Sequence, residues 1–228
     1  MTVKLVLLHS PLVGPGTWRL FAPLLRARGY EVTVPDYSGE MAGNPPYYSR
    51  LVGNARRSIG DSSDVILIAH SGAGALIPAV ADAGFARGAI FMDALLPHPG
   101  RSWLSTAPGS TKSRLESLVR DGCVPPWHQW WPKGSIEALF DDPSAYEHFS
   151  SELNDLPLAY FDEAAPSVEL PERFACAYLQ LGRGYDAEAA TAERMGWPVR
   201  RLTRHHLAML THPNEIAGEI EQLIQAIG

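Results

Sequence analysis

Residues 64–84 read DVILIAHSGAGALIPAVADAG. An unbroken apolar run from Val65 to Ala69 stops at His70-Ser71-Gly72 and passes directly into a helical pattern. A strand that is apolar at every position is buried on both faces, as in a parallel sheet covered by helices. Ser71 stands at the junction, with Ala69 two residues before it and Ala73 two residues after. A strand-to-helix turn this tight tolerates only small side chains at those two positions. In return it lifts the serine hydroxyl above the sheet and leaves the Gly72 amide free to face a reacting oxygen. Both flanking residues are alanine rather than glycine, and a serine opening a helix is by itself an ordinary N-cap. Reading Ser71 as a nucleophile therefore depends on what the rest of the chain brings to it.

Outward from this stretch, strands and helices alternate. KLVLLHS (4–10), YEVTVPDY (30–37) and GAIFMDALLP (88–97) read as strands, with helices at 17–29 and 47–60. The pattern resumes with a strand at FACAYLQLG (174–182), a helix at DAEAATAERMG (186–196) and a strand at PVRRL (198–202). In the terminal helix Ile216, Ile220, Leu223, Ile224 and Ile227 share one face, behind Pro213 in the first turn. The stretch between, 98–170, is too long for a loop. It carries the aromatic cluster WHQWW (127–131), read as packing rather than as a ligand-stacking surface. The expectation is an α/β protein: a mostly parallel sheet flanked by helices, a core of 1–97 and 171–228, and a helical lid over 98–170. The Lys4–Ser10 strand should lie inside the sheet beside Ser71, with no antiparallel strands before it.

The chain has 228 residues, 46% hydrophobic and 19% charged, with a formal net charge of −6. That is enough chain to bury a core without covalent staples. An acidic balance with Lys4, Lys112 and Lys133 as the only lysines argues against nucleic-acid or anionic-membrane partners. No run approaches the ~18 apolar residues of a membrane span, and the opening MTVKLVLLHSPLVG is too short in its apolar part for a secretion signal. Cys123 and Cys176 are too few for a disulfide scaffold or zinc cluster. Gly14, Gly16 and Gly72–Gly74 form no phosphate loop, since no Lys-Ser/Thr follows them. No carboxylate joins His206 and His212 in a metal set. A cytoplasmic protein acting on a small molecule without a cofactor is expected; the sequence leaves monomer or homodimer open.

A serine nucleophile requires an acid and a histidine later in the chain. TRHHLAMLTHP (203–213) places His205 and His206 between the last strand and the last helix. Asp186 follows the FACAYLQLG strand and precedes the histidines by one helix and one strand, although an aspartate there is also an ideal N-cap. Asp93, at the end of GAIFMDALLP, could approach the same histidine from the neighbouring strand. The reading prefers Asp186 and keeps Asp93 as the alternative.

The stretches LLHSPLVGPGTW, GYEVTVPDYSG, DVILIAHSGAGALIPAVADA, FMDALLP and HHLAMLTHP resemble the α/β-hydrolase fold. Within it they are similar to the compact branch of plant methyl-ester esterases and hydroxynitrile lyases with related bacterial hydrolases. The likeness covers both ends of the chain; 98–170 matches nothing specific. In that branch the catalytic histidine directly precedes a hydrophobic-Ala-Met-Leu stretch, which implies His206, followed by Leu207-Ala208-Met209-Leu210. Similar lyases carry a lysine just after the histidine; Leu207 there implies an esterase-like reaction. The residues and the resemblance together predict a cofactor-free hydrolase of a small, largely apolar ester, thioester or lactone, with Ser71, His206 and the preferred acid Asp186.

One departure stands out. Such enzymes end their first strand in His-Gly-x, and the amide of x is an oxyanion donor. Here the turn is His9-Ser10-Pro11, and proline has no N–H to give. Loss of one donor costs ~10²–10³ in rate. Beside the Gly72 amide, either the Ser10 hydroxyl or the Leu12 amide takes its place, or the reaction is a lyase, cyclase or isomerase step. A non-catalytic ligand-binding member of the fold is the third reading.

Overall fold

The computed structural model describes residues 3–228. Its strands are β1 (Lys4–Leu8), β2 (Glu31–Thr33), β3 (Val65–His70), β4 (Ala86–Met92), β5 (Cys123–Val124), β6 (Leu156–Pro157), β7 (Ala175–Gln180) and β8 (Val199–Arg201). Six of them form one sheet in the order β2-β1-β3-β4-β7-β8, every neighbouring pair parallel. β1 lies between β2 and β3, as the sequence predicts, so the chain winds in opposite directions from the β1/β3 boundary. Ligands in open parallel sheets bind beyond the strand ends at such a reversal, and Ser71 follows β3 there.

Alternating side chains of each strand feed two cores, one per face. Leu5, Leu7, Ile66, Ile68, Ile90, Met92, Ala177 and Leu179 pack with Phe21 and Leu25 of the helix Phe21–Ala27 and with Ile216, Ile220, Leu223 and Ile224 of the helix Pro213–Ala226. Val6, Leu8, Leu67, Ala69, Phe91 and Tyr178 face the helices Tyr47–Ile59, Ile77–Ala81 and Asp186–Arg194. Each fully buried Leu or Ile contributes ~1.5–3 kcal/mol, which explains why apolar residues occupy both faces of β3.

Two expected elements come out shorter. β2 keeps only three residues of the 30–37 run, and the helix after Ser71 starts as a 3₁₀ turn, Ser71–Leu76, before Ile77–Ala81. The stretch between β4 and β7 is not purely helical. It combines helices Gly109–Leu118 and Pro143–Ser151 with the antiparallel pair β5–β6. Val13, Leu207 and Leu210 of the core pack with Trp127, Ile136, Phe149 and Leu153 of this insertion.

Two insertion carboxylates fasten it to backbone amides of the core. Glu152 accepts from the Gly16 amide at 2.7 Å, and Glu163 from the amides of Tyr47 and Tyr48 at 2.6 and 3.0 Å. Gly14 and Gly16 are glycine for this reason. A Cβ on Gly14 would stand 2.1 Å from Glu152 Oε2, and one on Gly16 2.3 Å from Oε1. Among the described residues, no helix is long and apolar enough to cross a membrane.

Candidate active site

Ser71 is buried and adopts φ 56°, in the left-handed region that side chains other than glycine rarely enter. Asp93, directly after β4, does the same at φ 45°. Such strain costs ~1–3 kcal/mol per residue and persists where the surroundings enforce it, typically at functional sites. The two turns are stitched together by the Leu95 amide, which donates to the Ser71 carbonyl at 3.0 Å. Gly74 permits the close approach, since a Cβ there would lie 1.9 Å from the Leu95 carbonyl oxygen.

His206 donates Nδ1–H to Asp93 Oδ2 at 2.7 Å, which leaves Nε2 as the ring's acceptor. The Asp93 side chain is 2% exposed. Its other oxygen accepts from the amides of Leu181 and Gly182 at 2.9 and 3.3 Å, so the carboxylate is held at both ends. His70 donates from Nε2 to the His206 carbonyl at 2.9 Å, and its ring lies 4.3 Å from the His206 ring. Burial holds the pKa of His70 well below the ordinary imidazole value, with the neighbouring His206 as a further cause. His70 is therefore a neutral prop under His206.

His205 is occupied elsewhere. Its Nδ1 accepts from the Leu207 amide and its Nε2 pairs with the Thr211 hydroxyl at 2.9 Å. The tandem histidines are thus divided into one turned to Asp93 and one tied into its own turn.

Tyr185 links serine and histidine. Its hydroxyl lies 3.2 Å from Ser71 Oγ, and its ring stacks on that of His206 with centroids 5.3 Å apart and planes 11° apart. Trp127 approaches the same imidazole at 5.9 Å.

On the other side of the serine, Ser10 is fully buried. Its Oγ lies 3.0 Å from where a Cβ on Gly72 would stand, with Pro11 Cδ at 3.7 Å from the same point. The Leu12 amide donates to Ser10 Oγ at 3.2 Å. The Leu12 N–H is thus engaged by Ser10 rather than free toward Ser71. Two clefts adjoin the site without including Ser71 in their walls. One, of about 540 Å³, is lined by Pro11, Leu12, Tyr37, Met41 and Leu156; the other, of about 260 Å³, by Leu95, Leu96, Trp103 and Glu188.

Over residues 5–219 the sequence matches the model of the alpha/beta hydrolase family. The chain belongs to the alpha/beta hydrolase family. No curated protein sequence matches it. Among solved structures it is similar to an extracellular alpha/beta-hydrolase from a Paenibacillus species, described as sharing structural and functional homology with tobacco salicylic acid binding protein 2 (19% identity, TM-score 0.76, 99% of both chains covered). It is also similar to polyneuridine aldehyde esterase (18%, 0.72, 99% of both) and to tomato methylketone synthase I (15%, 0.74, 100% of both). At these identities the likenesses show the fold.

Within this alpha/beta hydrolase, Asp186 is not where the sequence reading places it. It is exposed, accepts from Gln180 Nε2 and starts the helix Asp186–Arg194. Asp93 reaches His206 instead, because the left-handed turn after β4 aims its side chain along the sheet edge toward β7. The Asp-Ala pair ending an otherwise apolar strand was the available signal, since a charged residue there needs a partner. Tyr185 went unread; one aromatic residue in a glycine-rich loop gives no periodic signal.

Proposed function

We propose that this protein is a cofactor-free serine hydrolase of small, largely apolar esters, thioesters or lactones, with Ser71 as nucleophile, His206 as general base and acid, and Asp93 as the orienting carboxylate. The observation that carries the reading is the 2.7 Å His206–Asp93 hydrogen bond beside a buried serine held at positive φ. Nδ1–H on Asp93 fixes the tautomer in which Nε2 accepts a proton, the role a triad histidine needs.

At rest Ser71 Oγ lies 3.2 Å from the Tyr185 hydroxyl, and attack requires that the serine's own proton turn about the Cβ–Oγ bond to His206 Nε2 while Oγ keeps its contact with the phenol. Such bonds commonly tighten only once substrate is bound. Ser71 Oγ then bonds the substrate carbonyl carbon while His206 takes the proton. The tetrahedral oxygen faces the Gly72 amide and the Ser10 hydroxyl. Ser10 already accepts from the Leu12 amide, which polarises its own O–H for donation. Collapse expels the alcohol or thiol with the proton from His206. Water, activated by the same Nε2, then releases the acid and restores Ser71.

A second reading stays in view because Pro11 removes one backbone donor and the Leu12 amide is committed to Ser10. On a lyase, cyclase or isomerase path, Ser71 and His206 move protons without an acyl-enzyme. A panel of p-nitrophenyl esters of rising acyl length, run beside a Ser71→Ala variant, separates the two. The hydrolase reading expects turnover that vanishes with the hydroxyl. Activity that persists in Ser71→Ala supports the second, and binding without turnover a non-catalytic role.

A further inference from the structure

Tyr185 is not needed to complete Ser71, His206 and Asp93, yet it touches the first and covers the second. Among the described residues its hydroxyl is the only hydrogen-bond partner of Ser71 Oγ, at 3.2 Å. Its ring lies parallel to the His206 imidazole. The loop that carries it is fixed by the site itself: the Gly182 amide donates to Asp93 Oδ1 at 3.3 Å, and a Cβ on Gly182 would stand 3.0 Å from the Arg204 carbonyl oxygen. Asp93 thus positions both His206 and the turn Arg183–Tyr185. Burial raises the pKa of the phenol, with the Ser71 hydrogen bond pulling the other way. The phenol therefore keeps its proton at neutral pH and is available as an O–H donor.

We propose that Tyr185 is a further catalytic residue of the hydrolase reaction set out above, on which this inference rests: its phenol donates a hydrogen bond to Ser71 Oγ whenever that oxygen carries developing negative charge. This happens twice per turnover. In attack, Ser71 Oγ gives its proton to His206 Nε2 as the bond to the carbonyl carbon forms. In deacylation the bond from Oγ to that carbon breaks, and Oγ takes the proton back from His206. Tyr185 keeps its own proton in both steps. A donor aimed at an atom that gains charge in the transition state stabilises that state more than the ground state.

Tyr185→Phe removes the hydroxyl and retains the ring on His206, which makes it the informative variant; Tyr185→Leu removes both. For Tyr185→Phe, kcat should fall ~10-fold or more with KM nearly unchanged, the pattern of an interaction made only in the transition state. Inactivation by a fluorophosphonate probe should slow by a similar factor, and the shape of the pH profile should not move. Tyr185→Leu should also displace that profile. Unaltered thermal melting of Tyr185→Phe excludes misfolding as the cause. A kcat within about twofold of the parent, or a rise in kcat/KM as expected of a gate that substrate must push aside, overturns the proposal. If the parent labels at Ser71 and Tyr185→Phe is unaltered, only this inference fails. If the parent neither labels nor hydrolyses any ester, the hydrolase reading has failed and this inference falls with it.

Discussion

The Nδ1–H of His206 is held by Asp93 at 2.7 Å, while Asp186 lies exposed and bound to Gln180. On the proposed mechanism the acid follows β4 rather than β7, and the two aspartates make opposite predictions. Asp93→Asn should lower kcat by ~10³–10⁴, because the amide favours the wrong imidazole tautomer. Asp186→Asn should leave kcat within about twofold, as an exposed surface change does. Steady-state kinetics on one reactive ester decides between them. A large loss in Asp186→Asn alone would return the acid to β7.

On the proposed mechanism the Ser10 hydroxyl replaces the amide that Pro11 lacks. Ser10→Ala should lower kcat ~10-fold or more while leaving KM close to the parent value. Pro11→Ala, which restores an N–H, should be neutral or faster in acyl transfer. Unchanged ester turnover in Ser10→Ala would transfer the donor role to another group.

The Glu152 contact with Gly14 and Gly16 predicts a coupling between insertion and core. Gly16→Ala should cost ~1–3 kcal/mol by forcing Glu152 from its seat. In a Glu152→Ala background most of that cost should disappear, since the atom that the new methyl meets is gone. A double-mutant cycle by urea unfolding measures the coupling. Equal costs in both backgrounds would show that the methyl is obstructed by something else.

Buried histidines make stability pH-dependent. Burial lowers the pKa of both His9 and His70, and in the unfolded chain each returns to ~6.5. Below ~6.5 the unfolded state therefore binds protons that the folded state refuses. Stability is fully present above that pH and is lost as pH falls toward the folded values, by ~1.4 kcal/mol per pH unit for each histidine that stays neutral. Urea unfolding at pH 8 and pH 5 should show the loss, and His70→Gln should shrink it. An unchanged pH slope in His70→Gln would assign the effect to other groups.

The parallel sheet was legible because β1, β3, β4 and β7 are buried on both faces, which writes an uninterrupted apolar run into the sequence. The serine turn was legible because its geometry restricts residues on both sides of Ser71. His206 was legible through the Leu-Ala-Met-Leu that follows it. The acid was not, because Asp93 and Asp186 both stand shortly after a buried strand. What separates them is a φ of 45° at Asp93, set by contacts from Leu179 and Tyr178 in another strand. Tyr185 and the Glu152 seat are long-range pairings, which local pattern does not encode.

The proposed chemistry requires Ser71 to be an activated nucleophile. Incubating the folded protein with a fluorophosphonate and mapping the adduct by peptide mass spectrometry tests it most directly. One phosphonylated residue, Ser71, is expected, with labelling that is abolished by Ser71→Ala and strongly slowed by His206→Ala. Folded protein that takes no label at Ser71, or takes it equally well without His206, would contradict it.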